Sequence, residues 1–223
     1  MLRLGTGDAV RIFDGTGREW TAHIGVVSSG NVEVTLDREV ETVREPSVNV
    51  TLAIGLLKGD QMDAVVREST ALGVAAIVPL VSMRVVAPAR ARVEAAQARW
   101  RRVAVQSAKQ CGRAVVPTID APVPFADLLL NSGFDVRVML AEPVSGGRIS
   151  EQPPPGPAVA ARAGEPRGAR ALVIVGPEGG WTVDEIRQAV TAGIPLWRLG
   201  PRTLRAELAP TVALAALWTH WGW

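Results

Sequence analysis

From Val48 onward, short apolar runs alternate with stretches of helical periodicity, and this alternation constrains the fold of the chain more than any other feature. Residues 48–56, 75–81, 135–141, 171–175 and 195–199 each have the length and apolar content of a buried strand. Between them, residues 60–72 carry Met62, Val65, Val66 and Leu72 on one helical side. Residues 93–112 place Ala96, Trp100, Val103, Ala104, Ala108 and Cys111 on one stripe. Further helices are expected over residues 183–192, starting near Thr182 or Asp184, and over residues 207–218. Strands that alternate with helices bury both faces of one sheet, which predicts an α/β domain with mostly parallel strands.

The first 46 residues differ in texture. Val10, Ile12 and Phe13 precede a turn at Asp14, Gly15, Thr16 and Gly17; Trp20, Ala22 and Ile24 lead to Ser28, Ser29, Gly30 and Asn31; Val32, Val34 and Leu36 follow. Period-two segments separated by glycine-containing turns predict a small antiparallel sheet or barrel. Three strands are few for an independent barrel. The expected division is therefore residues 1–46 and residues 47–223. Residues 143–170, with three consecutive prolines at 153–155, lack periodicity and are expected to form a mobile surface loop.

Composition excludes several classes. Cys111 is the only cysteine, so neither an intrachain disulfide nor a thiolate metal cluster is expected. The two histidines, His23 and His220, lie far apart, and no metal site is predicted. No apolar run has the length of a membrane span, and the first residues lack the pattern of a signal peptide, so a cytoplasmic protein without membrane partners is expected. Lys58 and Lys109 are the only lysines, so the positive charge is almost all arginine. Formal charge is +2 and the isoelectric point about 9.3, which suits a local basic patch for a polyanion. A GC-rich genome produces the same arginine bias, and the arginines of residues 93–112 also suit a solvated helix face.

Two strand-to-loop junctions can hold a ligand: VIVGPEGGW at residues 173–181 and LGPRTLRAELA at residues 199–209. In parallel α/β sheets, ligands sit beyond the carboxyl ends of the strands, where glycines permit close backbone approach. Taken alone, the first string equally suits a tight turn before a helix. Neither string is a P-loop or a dinucleotide fingerprint.

Seven collinear blocks resemble the ribosomal RNA small-subunit methyltransferase E family over about residues 2–217. They are RIFDG (11–15), KGDQMD (58–63), ESTALGVAAIVPLVSMR (68–84), RWRRVAVQSAKQCGR (99–113), VPTI (116–119), VIVGPEGGWTVDEI (173–186) and LGPRTLRAELA (199–209). The resemblance implies an N-terminal PUA-like β-barrel that contacts RNA. It also implies a C-terminal SPOUT domain with a deep trefoil knot, a feature rare enough that no periodicity would suggest it. Compared with the family pattern, the barrel is expected to be partial at its N-terminus. Ala206 and Leu208 stand where threonines are usual, and Lys109 stands where glutamate is usual.

By resemblance, the reaction is methylation of N3 of a uridine in small-subunit (16S) ribosomal RNA, with S-adenosylmethionine as cofactor and a homodimer as the assembly. The partner is the small-subunit rRNA or the assembled small subunit. Other readings are a SPOUT enzyme acting on another RNA, or a non-catalytic RNA-binding assembly factor. N3 of uridine must lose a proton before it attacks, and the negative charge then spreads onto the flanking carbonyls. A carboxylate suits the first task and a guanidinium the second. Arg205 is the expected charge stabiliser, with Glu207 as base or orienter and Glu178 as second candidate; the alternative is that Glu207 caps the last helix and pairs with Arg205.

The expected cofactor residues are Leu140, Glu142, Ile174, Gly176, Pro177, Gly179, Gly180, Leu199, Gly200 and Leu204. The expected RNA contacts are Arg11, Lys58, Arg84, Arg99, Arg102 and Arg113. Trp20, Trp181 and Trp197 are candidates for base stacking or for core packing, and the tryptophan-rich end, residues 218–223, is a candidate for packing against a dimer partner.

Overall fold

The computed structural model describes residues 4–85, 89–142, 149–157 and 168–222. The chain divides into two compact units: Met1–Glu45 together with Ala108–Val116, and Pro46–Ser107 together with Pro117–Trp223. Residues 108–116 thus group with the N-terminal segment, whereas the sequence pattern predicts one boundary, at residue 46.

In the first unit, strands β1 (Ala9–Phe13), β2 (Glu19–Ser28) and β3 (Asn31–Val40) form an antiparallel sheet in the order β1-β2-β3. The β1–β2 turn is shaped by Asp14, whose carboxylate accepts the backbone N–H groups of Thr16 (2.7 Å) and Arg18 (3.3 Å). Gly15 takes φ +81°, a left-handed conformation that favours glycine. Ala22 and Ile24 on β2 are buried, while Val32, Val34 and Leu36 on β3 are exposed. Arg113 lies in this unit with its side chain 8% exposed, and its guanidinium donates to Glu45 at 2.6–3.0 Å.

The second unit is built on an eight-stranded sheet, parallel at every described pairing. Its strands are β4 (Val48–Gly55), β5 (Ala76–Val81), β6 (Thr118–Ile119), β7 (Val123–Pro124), β8 (Val136–Leu140), β9 (Ile149–Ser150), β10 (Ala169–Val175) and β11 (Leu196–Trp197). The order is β6-β5-β4-β10-β8-β11-β9, with β7 also pairing β5. Strand β10 is central, flanked by β4 and β8, and residues 171–175 are all buried. Burial on both faces is why this strand reads as an unbroken apolar run.

The helices are α1 (Gln61–Ala71), α2 (Arg90–Cys111), α3 (Phe125–Leu129), α4 (Val183–Thr191) and α5 (Ala209–Trp221). Leu172 and Ile174 of β10 join Phe125, Leu128, Ile186 and Ala189 of α3 and α4 in one core cluster. Side chains of the opposite parity, Ala171, Val173 and Val175, turn to the other face of the sheet and are equally buried. Helices α1 and α5 pack together, and Val65, Val66, Ala213, Leu214 and Leu217 on them are fully buried. Among the described residues no helix is long and apolar enough to cross a membrane.

Several expectations are corrected. Helix α5 begins at Ala209, so Glu207 lies before the helix, whose N-cap is Leu208 with no side-chain cap bond. The expected mobile loop contains β9, which pairs with β11, and the first two residues of β10. Trp221 Nε1 donates to Pro154 O at 2.9 Å, so residues near Pro154 are tied to the end of α5. Residues 143–148 and 158–167 of that loop, and Trp223 of the tryptophan-rich end, lie outside the described residues.

Candidate functional site

Strands β10, β8 and β11 are consecutive in the sheet, and the loops that follow them meet at their carboxyl ends. There they enclose a cleft of about 400 Å³. One wall is Val175, Gly176, Pro177, Glu178, Gly180 and Trp181, after β10. Leu140, Ala141 and Glu142, at the end of β8, supply a second part. The remaining wall is Leu199, Arg202, Thr203, Leu204, Arg205, Ala206 and Glu207, with Ala209 at the start of α5 and Gln61 at the start of α1.

The loop after β10 is held from several sides. Gly180 N–H donates to Pro177 O at 2.9 Å and closes a turn in which Gly180 has φ +66°. A side chain at Gly180 would also collide with the Glu142 carboxylate, so that carboxylate stands directly against the loop backbone. Trp181 Nε1 donates to Leu140 O at 2.9 Å, and its ring sits 4.9 Å from that of Phe125. Glu178 Oε1 accepts the backbone N–H of Lys58 at 2.7 Å. At Gly55, the end of β4, an added Cβ would lie 2.5 Å from Pro177 N, so the two backbones meet with no room for a side chain.

Helix α4 starts from this loop with a capping box. Thr182 Oγ1 accepts Glu185 N–H at 3.2 Å, while Glu185 Oε2 accepts Thr182 N–H at 2.8 Å.

The opposite wall is less constrained. Arg205 is 86% exposed on its side chain and stands 3.9 Å from Glu207, whose side chain is 24% exposed. Backbone N–H groups of Leu208 and Ala209 both donate to Arg205 O at 3.0 Å, so its main chain is fixed while its side chain stands largely in solvent. Gln61 Oε1 is buried and has no hydrogen-bond partner among the described residues. An acceptor so placed in the wall of a cleft suits a ligand that brings a donor.

The three expected catalytic residues, Arg205, Glu207 and Glu178, all line this cleft. Of the expected cofactor residues, Leu140, Glu142, Gly176, Pro177, Gly180, Leu199 and Leu204 line it too. Ile174 does not: it faces the core cluster, and its neighbour Val175 turns to the cleft. Gly179 and Gly200 also lie outside the lining; Gly179 is covered by the Arg84 side chain, and Gly200 takes φ +96°. Gln61, Arg202 and Thr203 line the cleft without having been singled out from sequence. Gln61 is the first residue of α1 and directly follows Lys58, Gly59 and Asp60, a string that was the available signal.

The expected RNA contacts are dispersed. In the first unit, Arg11 pairs with Glu19 at 2.8 Å, and Arg113 is turned inward on Glu45. In the second, Arg99 pairs with Asp63, Arg102 is exposed on α2, Lys58 is exposed, and Arg84 donates to Gly179 O. Trp181 and Trp197 are buried in the core, whereas Trp20 is half-buried beneath the Arg18 guanidinium, 4.8 Å from its ring centre. Trp218 is 42% exposed. Among the described residues no group of three His, Cys, Asp or Glu side chains could hold a metal ion.

The cleft can take a nucleoside with an amino-acid tail. Leu140, Leu199 and Leu204 offer apolar surface for a base, Gly176 and Gly180 allow close approach to backbone, and Gln61 and Glu142 offer acceptors.

Comparison with known proteins gives two family matches, an RNA methyltransferase domain at residues 44–218 and an RNA methyltransferase PUA domain at residues 2–37. The chain is 33% identical to the ribosomal RNA small subunit methyltransferase E of Synechocystis, over 97% of this chain and 68% of that protein. Among solved structures it is similar to a methyltransferase of Legionella pneumophila in complex with S-adenosylmethionine (TM-score 0.83, 28% identity, 97% of this chain and 85% of that one). It is also similar to the ribosomal RNA small subunit methyltransferase E of Neisseria gonorrhoeae bound to S-adenosylmethionine (TM-score 0.79, 30% identity, 97% and 85%).

Proposed function

The chain belongs to the RNA methyltransferase family that includes ribosomal RNA small subunit methyltransferase E, and we propose that it methylates N3 of a uridine in small-subunit ribosomal RNA. At the coarser level it is an S-adenosylmethionine-dependent rRNA methyltransferase with a SPOUT-type domain. The observation that carries the finer reading is the pairing of a fixed, glycine-lined wall with an exposed guanidinium and a carboxylate across one cleft.

The residues present suit S-adenosylmethionine. Leu140, Leu199 and Leu204 would hold its adenine, the backbone around Gly176 and Gly180 its close-packed edge, and Gln61 and Glu142 its donors. When bound, it supplies an electrophilic methyl group on a sulfonium whose leaving thioether is neutral, so the donor side asks the protein for alignment rather than for acid. The demand on this chain falls on the acceptor. Glu207 takes the N3 proton, and Arg205 stabilises the charge that spreads onto the uracil carbonyls. Glu207 is preferred to Glu178 because Glu178 already has Oε1 engaged by the Lys58 N–H. The exposure of the Arg205 side chain suits a group that closes on substrate.

The reading extends to a PUA-like RNA-binding segment over residues 1–46, a SPOUT methyltransferase domain over residues 47–223 with a trefoil knot, a homodimer, and a cytoplasmic location where ribosomal RNA is found. Nucleoside mass spectrometry tests the reaction. Unmodified small ribosomal subunits incubated with the protein and S-adenosylmethionine should gain N3-methyluridine. A different methylated nucleoside replaces the target while keeping the enzyme class, and absence of any methylation overturns the proposal.

A further inference from the structure

Glu185 is the buried carboxylate that the reaction above leaves unused. It is 1% exposed and its oxygens do two separate jobs. Oε2 accepts Thr182 N–H at 2.8 Å and the Thr182 hydroxyl at 2.9 Å, which caps α4. Oε1 instead accepts the backbone N–H of Met83 at 2.8 Å, from the loop after β5. Capping α4 uses only Oε2. The bond from Oε1 ties α4 to a segment 102 positions away in sequence.

That segment is a tight turn, closed by Val85 N–H donating to Ser82 O at 3.0 Å, with Met83 and Arg84 at its two central positions. Arg84 reaches from the turn across the loop after β10. Its methylenes lie 3.3 Å from where a Gly179 Cβ would be, and its NH1 donates to Gly179 O. The contacts therefore close a ring: Glu185 holds Met83, the turn presents Arg84, Arg84 covers Gly179, and Gly179 leads through Thr182 back to Glu185. Glu178 and Gly180, on either side of Gly179, line the cleft, so Arg84, itself outside the lining, packs against the loop that forms this wall. Arg84 is exposed and spends one amino group on Gly179 O, which leaves its remaining N–H donors for an anion.

We propose that Glu185 is a positioning residue that fixes the turn carrying Arg84, so that Arg84 meets a phosphate of the substrate RNA beside this wall of the cleft. The inference rests on the RNA-methyltransferase reading of the cleft, but it concerns RNA binding and is tested by binding. Glu185→Gln leaves one oxygen acceptor where two are used. Met83→Pro deletes the N–H that Glu185 Oε1 accepts, at a turn position that suits proline, and so supplies a second variant should Glu185→Gln fail to fold. Arg84→Ala removes the cation itself.

The probe is a fluorescent, unmodified small-subunit rRNA transcript titrated at several salt concentrations, with calorimetric titration of S-adenosylmethionine alongside. Loss of one phosphate contact lowers the slope of log K against log salt by about 0.7 to 0.9. Arg84→Ala, Glu185→Gln and Met83→Pro should each show that drop and weaken RNA about tenfold. S-adenosylmethionine affinity should stay within about twofold of wild type, and Glu185→Gln should add nothing to Arg84→Ala, because the two act through one contact. An unchanged slope in Arg84→Ala overturns the inference. So does a Met83→Pro or folded Glu185→Gln protein that keeps the full slope, or that loses S-adenosylmethionine affinity as much as RNA affinity. If wild type binds RNA with the Arg84-dependent slope but methylates nothing, the proposed reaction fails while this inference holds.

Discussion

The meeting of Gly55 with Pro177 gives a quantitative test of how the cleft wall is held. An alanine at residue 55 would put Cβ 2.5 Å from Pro177 N, 2.6 Å from its Cδ and 2.9 Å from its Cα. All three belong to a backbone or a fused ring, so no rotamer change relieves the contact, and Pro177 has to retreat by about 1 Å to reach ordinary van der Waals separation. Overpacking of this kind costs about 1–3 kcal/mol. At about 2–4 °C per kcal/mol for a chain of this size, Gly55→Ala should lower the main melting transition by roughly 2–12 °C. Pro177 lines the cleft, so the displacement should also weaken S-adenosylmethionine, and a misplacement of about 1 Å can cost on the order of a hundredfold in rate. Gly59→Ala is the control: it has φ +62° and nothing within 4 Å, so it carries a conformational cost without a collision. Calorimetry and cofactor titration on both variants decide the matter. If Gly55→Ala melts like wild type and binds S-adenosylmethionine equally well, the loop yields freely and the argument for a rigid wall is refuted. A lower melting temperature with unchanged affinity separates the wall's stability from its role in binding.

Three further outcomes are expected. Arg205→Ala should lose about a hundred- to a thousandfold in turnover, as removal of one charge-stabilising donor does, while cofactor affinity stays within about twofold; a fully active variant removes Arg205 from the mechanism. Trp181→Phe keeps the packing on Phe125 but leaves the Leu140 carbonyl without that donor, at a cost of about 1–3 kcal/mol readable as a lower melting temperature; an unchanged value refutes the bond's contribution. In the first unit, the backbone N–H of Thr16 is the main cause that holds the Asp14 carboxyl below its usual 3.8, with the Thr16 hydroxyl second. A depressed folded value means that the stabilisation is complete above 3.8 and disappears as pH falls through the lower folded value. The stability difference between wild type and Asp14→Asn should therefore be constant near neutral pH and narrow only below 3.8, and a difference that keeps its neutral-pH value in strong acid contradicts the linkage.

The α/β order and the loop after β10 were legible because each depends on neighbours in sequence. Residues 171–175 read as a buried strand, and the glycines that follow read as a place where backbone is laid bare. The short elements β6, β7, α3 and β9 were not legible, since so few residues show no period. The part played by Arg113 was hidden for a different reason. It follows an arginine-rich helix that looks solvated, yet its partner Glu45 is 68 positions away, and only the fold brings them together. Parity decides which side chain faces the cleft: side chains alternate faces along β10, so Val175 reaches the cleft and Ile174 the core. The segment Ala108–Val116 joins the N-terminal unit through Gly17 N–H to Ala114 O at 3.2 Å and Val116 N–H to Gly15 O at 3.0 Å, bonds with no sequence signature.

The two walls of the cleft divide the chemistry by stiffness. The loop after β10 is held by a turn bond, a tryptophan bond to β8, a carboxylate bond to Lys58 N–H and a backbone collision limit at Gly55. A wall fixed from so many directions loses little further freedom when a ligand arrives, which favours binding of a small molecule of set shape. The facing wall keeps its main chain fixed at the Arg205 carbonyl but leaves the guanidinium 86% exposed. A large acceptor cannot be met by a preformed pocket of about 400 Å³, so it has to be engaged by the exposed side chains of this wall. Substitutions in the stiff wall should accordingly change cofactor affinity and stability together, and substitutions at Arg205 should change turnover with little effect on either.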